Sequence, residues 1–280
     1  MALRIMDIEA WAAWNRELAS IFEQADDSGA LDRLDAALQQ VAPFDISVAF
    51  AYPENREPLL LYNGLKNAGS SSALAAYMRG TYLLDPFYLA CSNQILPGLY
   101  RMAALAPDNF FSSDYYHSAA VHPCISMDSG TLAEEIGFFV SLEPGVMATY
   151  SLMRSNGKLP FSDAEFAQLL AIAPMVRLLL PRLWRFTSSS AVAAASPKPS
   201  IHGEIIDRAF DQFAADLLTQ RQRLIVQLIL RGHSNLSIGR RLGITEGTVK
   251  IHRKAIYDRL EISSQAELFG KFIDFLTALA

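Results

Sequence analysis

Cysteine is almost missing from this 280-residue chain. Cys91 and Cys124 form no CxxC and no Cys/His ligand spacing, so a disulfide framework is excluded and a reducing cytoplasm is the expected setting. The GxxxxGK[ST], GxSxG and HExxH patterns are absent as well, which removes the common phosphate loop, the hydrolase elbow and the zinc-protease helix. His117, His122 and Cys124 fit no ligand or nucleophile spacing, so no catalytic residue, metal or cofactor is expected. The longest apolar segment, AQLLAIAPMVRLLLPRLW, is interrupted by Pro174, Arg177 and Pro181 and falls short of the roughly 20 residues a membrane span needs. The start, MALRIMDIEAW, has no basic region followed by an apolar run, so neither a signal peptide nor a membrane partner is expected. Nor does the chain open with the strand and paired acids of a phosphorylated receiver domain.

What is present is a hydrophobic share of 51% with 19% charged residues, the composition of a soluble globular protein with a core in each of two domains. The net charge of −5 hides an asymmetry. From Asp216 onward there are 10 Lys+Arg against 6 Asp+Glu, while the preceding residues hold 14 against 23. A basic module behind an acidic body fits a nucleic-acid partner for the last quarter.

That quarter reads as three helices separated by two punctuated turns. Leu224, Ile225, Leu228 and Ile229 recur at helical spacing from Thr219 until Gly232. Ser234 opens a second helix that carries Ile238 and Leu242 and closes at Gly243. Thr245 opens a third, with Val249, Ile256 and Leu260 on one side and Gly247, Lys250, Ile251, Lys254 and Asp258 on the other. Lysine can donate to guanine or phosphate, and Ile251 can press on a thymine methyl, so the second face suits a major groove. Arg253 and Arg259 point sideways, towards phosphate or into the structure. His252 lies near the buried side.

The motifs LTQRQR, GHSN, IGRRLGI, TVKIH and IYDRLEI, in that order, resemble the LuxR-type (GerE-type) DNA-binding domain of bacterial transcription regulators. Gln222 replaces a common acid, and Gly239 a usual alanine, at a cost of about 1 kcal/mol of helix propensity. The resemblance implies a helix-turn-helix binding double-stranded DNA, with Thr248, Lys250, Ile251, Arg253 and Lys254 as its DNA-binding residues.

Upstream, residues 6–25 and 31–41 are expected to be helices, 45–52 and 57–64 strands, 71–83 a helix, and Asp85-Pro86 the cap and first residue of another. Aromatics crowd residues 98–137, read as a loop with short helices, and EIGFFVSL with VMATYSLM forms a hairpin about Glu143-Pro144-Gly145. A long helix starts at Ser162 and runs towards Trp184. The expected fold class is therefore an α+β domain, helices on both sides of an antiparallel sheet, followed by an all-α helix-turn-helix domain. Boundaries are placed at 1–186, 187–215 for a Ser/Ala/Pro linker with a connecting helix, and 216–280. Ser264 with Glu267 opens a last helix whose seven large apolar residues exceed one core contact, so a homodimer interface is expected there.

TYLLDPFY, Tyr100, FFSSDYYH and IGFFVSL resemble, more loosely, the autoinducer-binding domain of the quorum-sensing LuxR-type proteins, a GAF/PAS-like sensor. The resemblance implies that Asp85 accepts a hydrogen bond from a ligand N–H. No tryptophan lies between Trp14 and Trp184, and AVHPCISMDSGTLAEE reads as an insertion, both departures from that family. The expected ligand site is Tyr77, Tyr82, Asp85, Tyr88, Tyr100, Phe111 and Tyr115, taking a small effector with an amine or amide. Capping of the next helix explains Asp85 equally well. Asp128, Glu134 and Glu135 are either further carboxylates for a cation or a solvated loop. The reading is a cytoplasmic, ligand-responsive DNA-binding regulator. Its rivals are a regulator controlled by a protein partner, and an enzyme with a localising C-terminal module.

Overall fold

The β1 strand (Ile46–Pro53) turns Val48, Phe50 and Tyr52 to one side of its sheet and Ala49 and Ala51 to the other, and all five are buried. A strand covered on both faces reads as an apolar run, not an alternation, which is why ISVAFAY carries so few polar residues. The computed structural model describes residues 8–23, 29–54, 56–64, 74–75, 77–78, 80–117, 132–191 and 209–279. Its one sheet among these residues has five antiparallel strands in the order β2-β1-β5-β4-β3, with β2 at Leu59–Asn63, β3 at Gly98–Arg101, β4 at Leu132–Glu143 and β5 at Val146–Ser155. The β4–β5 turn closes at Gly145, whose φ of +77° needs a residue without a side chain.

One face of the sheet is covered by α1 (Ile8–Glu23), α2 (Ala30–Val41) and the long α4 (Asp163–Ala191). Trp14, Leu18, Leu34 and Leu38 meet Leu169, Ile172, Val176 and Leu179 over Ala49, Ala148 and Phe138. Pro174 and Pro181 lie inside α4, which opens next to Ser162 and runs through Trp184 as expected, and Asp163–Arg185 is long and apolar enough to cross a membrane by length and composition. Its inner face is spent on the sheet instead. The helix also runs past residue 187, where a linker was expected to begin.

The other face carries Phe50, Tyr52, Phe139 and Met153 and is covered by a 3-10 turn at Thr81–Leu84, α3 (Pro86–Ser92) and three single helical turns between Met102 and His117. Helices on both sides of an antiparallel sheet is the class expected.

The C-terminal helices follow their caps. The first, α5 (Gln220–Leu230), opens with a capping box in which Gln222 N donates to Thr219 Oγ1 (3.3 Å) and Thr219 N to Gln222 Oε1 (3.0 Å). Then α6 (Asn235–Leu242) starts at Ser234 and ends on Gly243 at φ +65°, and α7 (Glu246–Leu260) starts at Thr245. Val249, Ile256 and Leu260 pack with Ile225, Val226, Ile229 and Ile238. Gly239 is not a mere departure in propensity: a Cβ there would lie 2.8 Å from the Ile244 carbonyl oxygen, where the chain turns from α6 to α7. The last helix, α8 (Gln265–Leu279), buries Leu268, Phe269, Phe272 and Leu276 within the same chain, against Phe210 and Phe213 and beside Gly80. Four of the seven apolar residues expected at a second copy thus pack within the chain, because the aromatic side of the sheet and the C-terminal helices share one continuous core.

Candidate functional site

Two places gather the residues singled out by the sequence. On α7, Lys250, Ile251 and Lys254 are exposed, Ile251 by 71%, on the side away from the buried Val249, Ile256 and Leu260. Lys250 Nζ pairs with Glu246 Oε1 one turn earlier at 2.7 Å. Thr248 lies at the start of the helix, its N–H donating to Thr245 Oγ1 (3.1 Å) and its hydroxyl 2.8 Å from the same oxygen. Its role in the free protein is therefore to finish the cap.

Of the two places expected for Arg253, phosphate or the structure, it takes the second in the free protein. Its guanidinium turns inward and donates to Asn235 Oδ1 (2.9 Å), Tyr257 OH (3.0 Å) and Gln265 Oε1 (3.3 Å), joining the first residues of α6 and α8 to the middle of α7. The forked donor set can serve three acceptors at once, which a spacing argument along one helix could not reveal. Arg259 does similar work, reaching Gln222 Oε1 (2.8 Å) and Leu217 O (3.2 Å). The neutral Gln222 therefore still provides the acceptor that an acid would have given. Arg240 and Arg241, which the sequence reading passed over, end α6 exposed to solvent.

The second place is built around Asp85. Its Oδ1 accepts from Phe87 N (2.8 Å) and caps α3, while its Oδ2 accepts from the Tyr77 hydroxyl (2.7 Å). The Tyr77 oxygen lies 2.7 Å from the Tyr52 hydroxyl, extending the chain of bonds to β1. Tyr77, Tyr82 and Tyr88 pack edge to face, with centroids 6.1 and 4.8 Å apart. Burial pushes the Asp85 carboxyl up, partly offset by the Tyr77 and Phe87 bonds.

Glu135, left open between a further carboxylate and a solvated loop although it begins the expected EIGFFVSL strand, is a second acid here. It lies in β4 and is only 7% exposed, because the strand starts at Leu132 and turns this residue inward. Burial and the Asp85 charge push its carboxyl up to about 8, against the lowering effect of a Ser151 hydrogen bond. Tyr116, buried and donating to Leu132 O (3.2 Å), feels the Glu135 charge and burial and is pushed up to about 12. Two acids that both resist ionisation in one neighbourhood titrate as a pair. Glu134 is committed elsewhere, to Arg101 (2.5 Å) and Phe161 N (2.7 Å).

The remaining expected residues separate. Tyr100 stacks edge-on to Phe139 (5.3 Å) and donates to Leu96 O (3.0 Å). Phe111 is 40% exposed, with its ring against Phe110 and Tyr116 and not among the tyrosines at Asp85. The side chain of Tyr115, together with Asp128, His122 and Cys124, lies outside the described residues. His117 Nε2 is 2.8 Å from Phe111 O.

A cavity of about 790 Å³ adjoins this group, walled by Tyr52 and Tyr88, by Glu54 and Glu143 at the strand ends, and by Gln227 of α5 and Arg231 at its C-cap. Of the seven expected ligand residues, only Tyr88 borders it. The sequence offered no signal for Tyr52 or for the α5 wall, since both come from elements distant in the chain.

Residues 216–271 match the family model described as bacterial regulatory proteins, luxR family. The chain is 28% identical over 196 residues to an Aeromonas salmonicida protein named as an HTH-type transcriptional regulator in the exeN 3' region, spanning 69% of this chain and 94% of that one. It is 33% identical over 90 residues to the nitrate/nitrite response regulator protein NarL of Escherichia coli strain K12, spanning 32% of this chain and 42% of NarL. Among solved structures, the VqsR LBD domain of Pseudomonas aeruginosa superposes with a TM-score of 0.52 at 24% identity, over 62% of this chain and 98% of that one, a likeness of fold. With the capped α6–α7 pair and its exposed lysine face, these matches identify the chain as a transcriptional regulator that carries a LuxR-type helix-turn-helix domain at residues 216–271.

Proposed function

We propose that the protein is a ligand-responsive regulator in which α7 reads an operator and the N-terminal domain takes a small molecule bearing an amine or amide. The observation that carries the first half is the stripe of Lys250, Ile251 and Lys254 on a helix whose opposite side is fully packed. Two recognition helices of a homodimer would meet half-sites about one helical turn apart. The working division is 1–186 for sensing, 187–215 for connection and 216–280 for DNA, in a cytoplasmic protein. The test is operator binding by the Lys250→Ala/Lys254→Ala chain, which should be lost with the fold retained; unchanged binding would reject the groove assignment.

For the second half, the support is the half-buried Asp85 carboxylate beside Tyr82 and Tyr88, together with the 790 Å³ cavity walled by Tyr52 and Tyr88. A π face and a carboxylate together suit an N–H donor or a cation. The test is thermal shift against a set of amines and amides. A ligand at a hundred times its Kd adds about 2.7 kcal/mol.

One observation favours a second reading, a regulator answering to a protein partner with no small molecule. Tyr77, Tyr82 and Phe87 fill the surroundings of Asp85 and are at most 3% exposed. The same screen separates the two, since that reading predicts no shift with any amine or amide.

A further inference from the structure

We propose that the two domains are docked in a DNA-excluding state, with Asp108 occupying on α6 the place of a backbone phosphate. The proposal rests on the helix-turn-helix reading above and goes beyond it. In such a motif the first helix crosses the phosphate backbone while the second enters the groove. The start of a helix, with its unpaired N–H groups and positive end of the dipole, is where a phosphate is held. In this protein the start of α6 already holds an anion from the other domain: Ser234 N donates to Asp108 Oδ1 (2.9 Å) and Ser234 Oγ to Asp108 Oδ2 (2.5 Å).

The neighbouring contacts show a fitted surface and not a chance pair. Asn109 N donates to Gly232 O (2.9 Å), two residues before the cap. Gly232 has φ +87°, and a Cβ on it would fall 2.7 Å from Phe110 Cα, so the turn before α6 is shaped both for its own bend and for the approach of the 108–110 segment. Phe110 itself is buried in the shared core with Tyr116. A second patch lies along α8, which packs on the Asp114–His117 turn and sets Leu276 beside Gly80.

Burial pushes the Asp108 carboxyl up, but its Ser234 bonds and the nearby His233 hold it net below the ordinary range, so it stays charged at neutral pH, as a phosphate would. The recognition face remains open, with Ile251 71% exposed. Exclusion therefore acts at the backbone: a duplex laid over Lys250 and Ile251 brings a strand past Ser234, where Asp108 and its segment stand. Opening the domain contact would free that position.

The experiment uses the full chain and a labelled random-sequence duplex at low salt. Asp108→Ala should tighten binding about tenfold, the scale of charge-assisted bonds to a site that DNA then claims. Glu9→Ala, which removes an equal charge from the exposed start of α1, should change it less than about twofold, as expected of a screened surface charge. A chain with Asp108→Cys and Ser234→Cys, its disulfide verified by peptide mass, should bind about tenfold more weakly oxidised than reduced, since both forms lack the same cap and acid. Equal shifts from the Ala variants at Asp108 and Glu9, or equal binding by the oxidised and reduced cysteine pair, would overturn the proposal. If Asp108→Ala does not fold, the cysteine comparison decides alone. Adding Lys250→Ala/Lys254→Ala to Asp108→Ala should erase the gain; a gain that survives would reject the groove face while leaving the domain contact to the cysteine result.

Discussion

Tyr77 donates its hydroxyl to Asp85 Oδ2 at 2.7 Å while Asp85 Oδ1 caps α3 through Phe87 N at 2.8 Å, so one carboxylate closes a helix and anchors a tyrosine from eight residues earlier. The capping and the binding readings of Asp85 are therefore not alternatives, since one side chain can do both.

Asp85→Asn keeps the oxygen that caps Phe87 N, but its amide NH2 cannot accept from Tyr77, whose hydroxyl must turn to donate to Tyr52 instead; with a buried charge removed in exchange, thermal stability at neutral pH should fall by about 1 kcal/mol. Asp85→Ala leaves Tyr77 and Phe87 N without that acceptor and should cost about 2 kcal/mol. If Asp85 holds the effector, both variants lose the ligand-induced rise in Tm, which differential scanning fluorimetry reads directly.

Glu135 gives a pH dependence of unusual sign. Its folded pKa is raised above the ordinary 4.5 to about 8, so across that window the folded chain holds a proton that the unfolded chain has released. Stability is then full below the lower value and falls as pH rises towards the higher one. Chemical denaturation between these limits should show the decline, and Glu135→Gln should make it shallower, leaving the part that the raised Asp85 carboxyl contributes. Parallel curves for the two proteins would place the acid outside this linkage.

Arg253→Ala should act on stability before it acts on DNA. Three bonds join α6, α7 and α8 through this residue, and their loss should cost about 2 kcal/mol, measured by urea unfolding. Arg253→Lys should recover little of it, because an ammonium lacks the planar fork. Lys250→Ala, by contrast, removes an exposed i,i+4 pair worth about 0.3–0.5 kcal/mol, so its effect should appear in binding alone.

Gly239→Ala tests a close approach. Helix propensity alone predicts a gain of about 1 kcal/mol. With a Cβ only 2.8 Å from the Ile244 carbonyl oxygen, the turn into α7 must shift, and a net loss of about 1–3 kcal/mol is expected from the unfolding midpoint.

The C-terminal module was legible because its information is local. Ser234, Gly243 and Thr245 mark helix ends by their own chemistry, and the spacing of Val249, Ile256 and Leu260 decides which face Lys250 and Lys254 share. Arg253 was legible only as pointing sideways, since the choice between phosphate and structure depends on Asn235 and Gln265, brought near only by packing. The helix α4 continues through Pro174 and Pro181 because an apolar face held against the sheet outweighs two lost backbone bonds. The inward direction of Glu135 was not legible, because the polar LAEE stretch has no apolar alternation and only pairing with β5 turns the second glutamate inward. In the aromatic segment, composition announced a cluster, but Tyr116 beside Glu135 and Phe111 on the outside are distinguished only by the helical turn that carries them.

The single core that runs from the sheet through Phe110 to Phe272 has a consequence for how the molecule can come apart. Parting its halves would wet Leu276 and the rings under α8, an expense that a solitary chain has no means of recovering. A second chain in the same condition offers matching oil. Release and pairing would then be one concerted event, and the share of unlatched molecules would climb with how much of the protein a cell makes.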